Sequence, residues 1–168
     1  MNPAEFVPAR DEPAECVPLM QGDVYCTADS KILITVLGSC VAVCLWDKRR
    51  RFGGMNHFVL PEDRKGERSG RYGESAIDQL IAGLVRLGSD VGDLEAKVFG
   101  GAAVLPFSGG QSVGSSNVAV ALERLRAHGI RVTAQRTGGV EGRQIRFTTR
   151  TGEVLFRPLS ANGPVATI

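Results

Sequence analysis

Residues 37–47 read LGSCVAVCLWD, and residues 52–61, which follow a short basic turn, read FGGMNHFVLP. The first segment is rich in valine, and both are short and apolar, which is typical of buried strands. The four residues between them read KRRR and form a polar turn. We therefore predict that residues 40–46 and 52–60 form an antiparallel hairpin.

The register of this hairpin decides whether a thiol and an imidazole meet. If the turn is even and centred on residues 49–50, His57 lies opposite Ala42 and Cys40 lies opposite Val59. Side chains alternate along a strand, so Cys40 and His57 then share one face as diagonal neighbours, about 7–8 Å apart at Cα. A slip of one residue would place them on opposite faces. In the even register the pair is within reach of the hydrogen bond that activates a cysteine nucleophile.

The two cysteines of the first strand have different surroundings in the sequence. A cysteine in an apolar strand is commonly a small buried hydrophobe, and Cys44, in mid-strand, fits that description. Cys40 follows Gly38 and Ser39, where the backbone can turn and expose a side chain. We expect Cys40 to be partly exposed with a depressed pKa, and Cys44 to be an inert core thiol.

Residues 37–47, together with residues 54–61, resemble the CheD family, the chemoreceptor glutamine deamidases of bacterial chemotaxis. The resemblance extends in order over roughly residues 20–158. Its further positions are Tyr72, residues 97–102, Gly114, Asn117, residues 137–139, Gly142, Arg143 and residues 151–152.

The resemblance implies roles for three side chains. Cys40 would be the nucleophile, His57 its partner, and Thr35 on the preceding strand the third member of the site. Thr35 stands five residues before Cys40, whereas the family's segment can be one residue longer here. From the chemistry of amide hydrolysis we expect His57 to hold Cys40 as a thiolate, and the backbone N–H groups of Ser39 and Cys40 to receive the oxyanion.

The resemblance also implies the reaction and its partners. Glutamine side chains on the cytoplasmic helices of methyl-accepting chemoreceptors would be converted to glutamate with release of ammonia, and receptor glutamyl methyl esters could be hydrolysed. This chemistry requires no metal and no organic cofactor. A regulatory partner of the CheC phosphatase type is also implied.

Length, charge and composition limit the classes of protein to which this chain could belong. The chain has 168 residues and a net charge of +2, which indicates one domain without the basic footprint of a nucleic-acid-binding protein. No apolar run approaches the roughly 20 residues that span a bilayer. The first residues lack the basic and apolar regions of a signal peptide. We therefore expect a cytoplasmic protein without membrane insertion.

The four cysteines allow two other interpretations. Disulfides are rare in a reducing cytosol, and Cys40 and Cys44 on one strand would lie about 13 Å apart, too far to bond. Their spacing fits half of a zinc site, but the remaining candidate ligands supply no second close pair; these are Cys16, Cys26, His57 and His128. We expect neither a disulfide nor a metal centre.

The remaining segments predict a layered α/β fold with hairpins dominating over βαβ units, seven or eight strands and two long helices. We expect residues 1–19 to form a loosely ordered arm, residues 20–160 a single catalytic domain, and residues 161–168 a tail. The family resemblance implies a β-sandwich-like core of mostly antiparallel strands, similar to the catalytic domain of cytotoxic necrotizing factor toxins. The predicted helices are residues 74–87 and 117–128, and the other predicted strands are residues 24–26, 32–37, 95–99, 130–135, 144–149 and 153–157.

Two other classes of function stay open at this point. The chain could be an adaptor that only binds receptors or a CheC-like partner, although binding alone requires neither Cys40 nor His57. It could also be a different thiol hydrolase, such as a peptidase. Labelling of Cys40 by an alkylating glutamine analogue, and a panel of peptide and protein substrates, would separate these classes.

Overall fold

The computed structural model describes residues 14–105, 109–160 and 164–168. They form ten strands and two α-helices, with a short 3-10 turn at Val91–Asp93. The helices are α1 (Gly73–Arg86) and α2 (Val113–Ala127). The strands are β1 (Glu15–Pro18), β2 (Val24–Thr27), β3 (Lys31–Leu37), β4 (Val41–Asp47), β5 (Phe52–Asn56), β6 (Leu94–Gly100), β7 (Arg131–Thr137), β8 (Arg143–Thr148), β9 (Val154–Pro158) and β10 (Ala166–Thr167).

The strands form two five-stranded sheets. The first, sheet A, has the order β1-β3-β8-β9-β10, and the second, sheet B, has the order β2-β5-β4-β6-β7. Strand β1 runs parallel to β3, and β7 runs parallel to β6 across the helical connection α2; the other strand pairs in the described residues are antiparallel. The predicted α/β fold with mostly antiparallel strands is confirmed, and β6-α2-β7 is a βαβ unit within it.

Strand β4 separates two hydrophobic cores because its side chains alternate between the two faces of sheet B. Its even-numbered residues pack against sheet A, and its odd-numbered residues pack under the helices, so the layers run sheet A, sheet B, helices. The core between the sheets includes Leu33, Leu37, Ala42, Cys44, Met55, Phe99, Ile145 and Phe147. The core under the helices includes Val41, Val43, Leu45, Ile77, Leu80, Leu84, Val98 and Leu125.

Helix α2 begins four residues earlier than the sequence predicted. Its N-cap is Ser112, whose hydroxyl accepts a hydrogen bond from Ser115 N at 3.1 Å. A serine side chain that satisfies a free N–H of the first turn fixes the start of a helix. Asn117 is consequently a buried residue inside the helix rather than its cap. Residues 106–108, which precede this helix, lie outside the described residues.

Both predicted terminal segments contain a short strand. Strand β1 lies within the expected arm of residues 1–19 and pairs with β3 from Glu15 to Pro18; residues 1–13 lie outside the described residues. Strand β10 lies within the expected tail of residues 161–168 and pairs with β9; residues 161–163 again lie outside. Short strands of four and two residues carry too little periodicity to be recognised in a sequence. The extent of a single catalytic domain at residues 20–160 stays a prediction.

Among the described residues, no helix has the length and apolar character needed to cross a membrane.

Candidate active site

The segment Gly38-Ser39-Cys40 is the point at which the chain passes from one sheet to the other. Strand β3 ends at Leu37 in sheet A, and β4 begins at Val41 in sheet B. Gly101 N donates to Cys40 O at 2.9 Å, and Ala102 N donates to Gly38 O at 2.9 Å. The corner that carries the cysteine is therefore fixed by backbone hydrogen bonds from the end of β6.

Gly100 allows this close approach of two backbone segments. Its φ is +106°, and a Cβ at this position would lie 2.1 Å from Cys40 O. Both features favour glycine, since a side chain would be strained and would collide with a carbonyl. Gly100 thus allows the end of β6 to lie directly against the backbone of the cysteine corner.

The hairpin adopts the register on which the cysteine–histidine pair depends. Cys44 pairs with Met55, and an isolated bridge pairs Val41 with Phe58, so His57 lies opposite Ala42 as predicted. Strand β5 itself ends at Asn56, four residues before the predicted end. Asn56 Oδ1 accepts from Val43 N at 2.9 Å, which replaces a backbone acceptor and interrupts the ladder next to His57.

Thr35 reaches His57 from the opposite sheet. Its Oγ1 lies 2.7 Å from His57 Nδ1 and 2.9 Å from the carbonyl oxygen of Leu19. A hydroxyl has one proton, and the Leu19 carbonyl can only accept, so Thr35 donates to Leu19 and accepts from the Nδ1–H of His57. These two consecutive hydrogen bonds fix the His57 tautomer in which Nδ1 carries the proton and Nε2 carries the lone pair. Thr35 therefore contacts the imidazole directly, and its role in orienting the ring stays a prediction.

His57 Nε2 is the free basic atom of the site. The side chain is 4% exposed, and Nε2 has no hydrogen-bond partner in the part of the chain that the structure describes. Burial lowers the pKa of His57 from its ordinary 6.5, because the charged imidazolium is poorly solvated; the Leu19 carbonyl and the charge of Asp23 act in the opposite direction. His57 is therefore a neutral base near pH 7.

Cys40 differs from the expectation of a partly exposed thiol with a depressed pKa. The residue is only 7% exposed, and burial raises the pKa of its thiol from 9.0, with its own backbone N–H acting in the opposite direction. The corner turns the thiol inwards, between the two sheets, rather than towards solvent. Burial therefore favours the neutral thiol and the neutral imidazole, in contrast to the expected thiolate, and within the described residues no hydrogen bond joins Cys40 Sγ to His57 Nε2.

Cys44 has the character of a core residue, as predicted. It is 1% exposed and packs between the two sheets. Burial is also the main reason that its pKa is raised, and more strongly than that of Cys40. A fully buried thiol of this kind has no access to a substrate.

The backbone N–H groups of Ser39 and Cys40 stay available at the corner. Within the described residues, neither group donates a hydrogen bond to another residue. Both are therefore able to serve as the predicted oxyanion donors. The same part of the structure contains no group of three or more histidine, cysteine, aspartate or glutamate side chains arranged to hold a metal ion.

Comparison with known proteins relates this geometry to a family. The family model described as "CheD chemotactic sensory transduction" matches residues 59–158, more than half of the chain. A Rhodospirillum rubrum protein named "Probable chemoreceptor glutamine deamidase CheD" is 55% identical over 144 residues, which is 85% of this chain and 82% of that protein. The chain belongs to the CheD family.

Other CheD relatives are similar over comparable lengths. A Caulobacter vibrioides protein with the same name is 43% identical over 153 residues, covering 88% of this chain and 81% of the relative. "Probable chemoreceptor glutamine deamidase CheD 1" of Anaeromyxobacter dehalogenans is 43% identical over 144 residues, covering 85% and 84%. The CheD resemblance read from the motifs is confirmed over most of the chain.

The distant motifs of this CheD chain meet around the Gly38-Ser39-Cys40 corner. Asn117 Nδ2, from α2, donates to Ser39 O at 3.0 Å and to Val59 O at 2.9 Å, which ties the cysteine corner to the histidine segment. Gly138 N donates to Gly100 O at 2.9 Å, and Gly139 O accepts from Ala103 N at 2.9 Å. These motif residues therefore brace the backbone that carries Cys40.

Sequence reasoning missed one residue at the nucleophile of this CheD site. Gln21 Nε2 lies 3.9 Å from Cys40 Sγ. Gln21 is in the turn before β2, 19 residues from Cys40, and neither periodicity nor a motif distinguishes it. Only the folded structure brings the two side chains together.

Proposed function

We propose that this chain is a chemoreceptor glutamine deamidase in which Cys40 is the nucleophile, His57 the general base and Thr35 the residue that orients the imidazole. The observation that carries the proposal is the hydrogen-bonded series from His57 Nδ1 through Thr35 to the Leu19 carbonyl. It leaves Nε2 basic and unpaired on the face shared with Cys40. The names of the CheD relatives support the reaction class.

The reaction begins from a neutral pair. As Cys40 Sγ attacks the side-chain carbonyl carbon of a glutamine, His57 Nε2 takes the thiol proton, so no standing thiolate is required. The imidazolium formed is stabilised by Thr35, which accepts from Nδ1–H. It then donates its proton to the leaving nitrogen, and ammonia departs. A thioester between Cys40 and the substrate carbonyl remains.

The second half of the reaction uses the same groups. His57, neutral again, takes a proton from water, which attacks the thioester and releases glutamate and the thiol of Cys40. In both halves the negative charge on the carbonyl oxygen requires donors, and the free N–H groups of Ser39 and Cys40 supply them. Cys40, His57 and these backbone N–H groups together account for every bond-forming and proton-transfer step.

The surface beside the corner suits a helical substrate. Val104, Leu105 and Val113 are 46%, 76% and 49% exposed, and they line an apolar groove that also includes Ser39 and Ala102. An amphipathic receptor helix laid in this groove would bury its apolar side chains and present a glutamine to Cys40. The groove thus supports receptor helices as the substrate.

Four further parts of the proposal rest on the family resemblance. They are a cytoplasmic location, hydrolysis of receptor glutamyl methyl esters, regulation by a CheC-like phosphatase, and likeness of the core to the catalytic domain of cytotoxic necrotizing factor toxins. An ester has the same electrophilic carbonyl as an amide and a better leaving group, so the same Cys40 chemistry applies to it.

Mass spectrometry of receptors tests the proposed function directly. A receptor cytoplasmic fragment is incubated with wild type, Cys40→Ala, His57→Ala or Cys44→Ala, and each glutamine is examined for the gain of about 1 Da that accompanies hydrolysis through the acyl-enzyme route. Wild type and Cys44→Ala should produce the gain. Cys40→Ala should not, and His57→Ala should be slower by about 10²–10⁴-fold.

Two outcomes would contradict the proposal. Receptor binding without any mass gain would favour an adaptor, and cleavage of the receptor backbone would favour a peptidase. Circular dichroism of each variant confirms that a loss of activity is not a loss of folding.

A further inference from the structure

The side chain of Gln21 lies at the nucleophile and has no part in the mechanism so far. Its Nε2 is 3.9 Å from Cys40 Sγ, although the residue is exposed to solvent. An exposed glutamine ordinarily points away from the protein into water. The position of the Gln21 amide next to the sulfur of the proposed nucleophile therefore suggests a role in the reaction.

Hydrogen bonds attach the turn that carries Gln21 both to strand β3, which carries Thr35, and to the segment that carries His57. On one side, Leu19 N donates to Ile34 O at 2.8 Å, and the Leu19 carbonyl accepts from Thr35 Oγ1. On the other side, Gly22 N donates to His57 O at 2.7 Å. Gln21 stands between these two attachments, so its Cα is held at a fixed position relative to Thr35 and His57.

Two more hydrogen bonds close the turn. Met20 N donates to Asp23 Oδ2 at 2.7 Å, and the Asp23 carbonyl accepts from His57 N at 3.0 Å. A group on this turn moves with the catalytic histidine rather than with a free loop. Preorganised donors of this kind are the ones that stabilise transition-state charge, because they need no reorganisation when the charge develops.

We infer that the Gln21 side-chain amide is an oxyanion donor of the deamidation reaction. When the C–S bond to Cys40 forms, the π electrons of the substrate C=O move to oxygen, and that oxygen lies next to Sγ. A donor 3.9 Å from Sγ is placed to meet this oxygen at about 3 Å. Gln21 Nε2 has two protons, so it complements the N–H groups of Ser39 and Cys40 from the solvent side of the site.

The neutral amide is better suited to this position than a charged group. A carboxylate here would oppose both the thiolate and the oxyanion, whereas a lysine would promote a standing thiolate in place of the neutral pair. The nitrogen of Gln21 faces the sulfur, so its own carbonyl carbon is not presented for attack. Gln21 therefore assists the reaction and is not an internal substrate.

The inference rests on the proposed function and is tested on the same reaction. Gln21→Ala and Gln21→Glu are compared with Gln135→Ala, a control at an exposed glutamine on β7 whose side-chain amide donates to Thr137 Oγ1. Ammonia release from a receptor fragment gives kcat and KM. The pH dependence of iodoacetamide labelling reports the protonation state of the Cys40 thiol. Alkylation forms no oxyanion, so it does not depend on an oxyanion donor.

Loss of an oxyanion donor should lower kcat without changing KM or the pH dependence of Cys40 labelling. Gln21→Ala should lower kcat by about 10²-fold, the usual effect of removing one such donor, with KM and the labelling profile unchanged. Gln21→Glu should lower kcat further, and Gln135→Ala should match wild type. The exposed position of Gln21 predicts that every variant folds, which thermal unfolding would verify.

Three results would overturn the assignment. They are an unchanged kcat in Gln21→Ala, a labelling profile that shifts together with kcat, which would mean that the amide acts on the thiol, and a mass gain of about 1 Da at Gln21 itself, the signature of an acyl-enzyme substrate. A wild-type protein that releases no ammonia would instead overturn the proposed function, and with it this role. The two failures are distinguished by whether wild type or only the variant lacks activity.

Discussion

Thr35 Oγ1 in sheet A lies 2.7 Å from His57 Nδ1 in the segment that follows β5 of sheet B. The imidazole is therefore oriented by a residue from the opposite layer of the sandwich. Because Thr35 donates its only proton to the Leu19 carbonyl, the contact also fixes which ring nitrogen is basic. Any change that separates the two sheets should affect the base before it affects the nucleophile.

Replacing Thr35 by valine should separate this orienting role from packing. Thr35→Val leaves the buried Nδ1–H and the Leu19 carbonyl without partners, so we expect kcat to fall and the free energy of unfolding to drop by about 1–3 kcal/mol. Thr35→Ser, which retains the hydroxyl, should recover most of kcat. Steady-state deamidation and urea unfolding measure the two effects. Equal kcat in Thr35→Val and wild type would remove Thr35 from the site.

The raised pKa of Cys40 predicts how its labelling depends on pH. Iodoacetamide reacts with the thiolate, and burial disfavours that charged form, so the labelling rate should still be rising as the pH passes 9.0, the ordinary pKa. Cys44, whose pKa burial raises further, should label more slowly at every pH. Peptide mapping after timed labelling distinguishes the two. A labelling plateau below pH 7 at Cys40 would mean a standing thiolate–imidazolium pair instead.

The lowered pKa of His57 predicts the acid limb of activity. Burial destabilises the imidazolium, so a lower pH than usual is needed to protonate the free enzyme's base. As the pH falls, kcat/KM should therefore decline through a pKa below 6.5, and it should be nearly constant between that value and neutrality. The measurement is kcat/KM for a receptor fragment from pH 5 upwards, under conditions in which folding is verified by fluorescence. An acid limb centred at or above pH 7 would contradict the geometry described for the resting pair.

Gly100→Ala should displace the cysteine corner. A Cβ at Gly100 would lie 2.1 Å from Cys40 O, so either the corner or β6 must move, and a shift of about 1 Å can cost 10²-fold in rate. Gly129→Ala is the matched control, because Gly129 also has a positive φ but open space around its Cβ position. The control should lose stability through backbone strain, about 1–2 kcal/mol, and keep its kcat. Equal kcat in both variants would show that the close approach at Gly100 has no role in catalysis.

Substitutions in the apolar groove should weaken substrate binding, measured as KM, and leave the chemical step, measured as kcat, unchanged. Leu105→Ser removes an apolar side chain that is 76% exposed beside the corner. If a receptor helix buries it, KM should rise about tenfold with kcat unchanged, since a buried leucine contributes about 1.5–3 kcal/mol. Leu155→Ser, on the outer face of sheet A, is the control and should leave KM unaltered. A KM that is the same in both variants would exclude the groove as the receptor contact.

Sequence periodicity by itself determined the local elements and one long-range relationship. An even KRRR turn centred on residues 49–50 was one of two registers that the sequence allowed, and it is the one that places His57 opposite Ala42, because a hairpin register depends only on residues close in the chain. The two long helices were also predicted, although α2 begins four residues before its predicted start. The ordered motifs were specific enough to identify the CheD family.

Tertiary structure alone decided the electrostatic state of the site. The Gly38-Ser39 corner was expected to expose Cys40, but β3 and β4 belong to different sheets, so the corner turns the thiol into the space between them. The resulting burial raises the pKa of the Cys40 thiol, whereas the sequence had predicted a lowered pKa. Burial depends on how the layers pack and not on the local sequence. Gln21, Asn117 and Thr35 likewise reach the site from separate elements, through contacts that exist only once the two sheets and α2 have packed together.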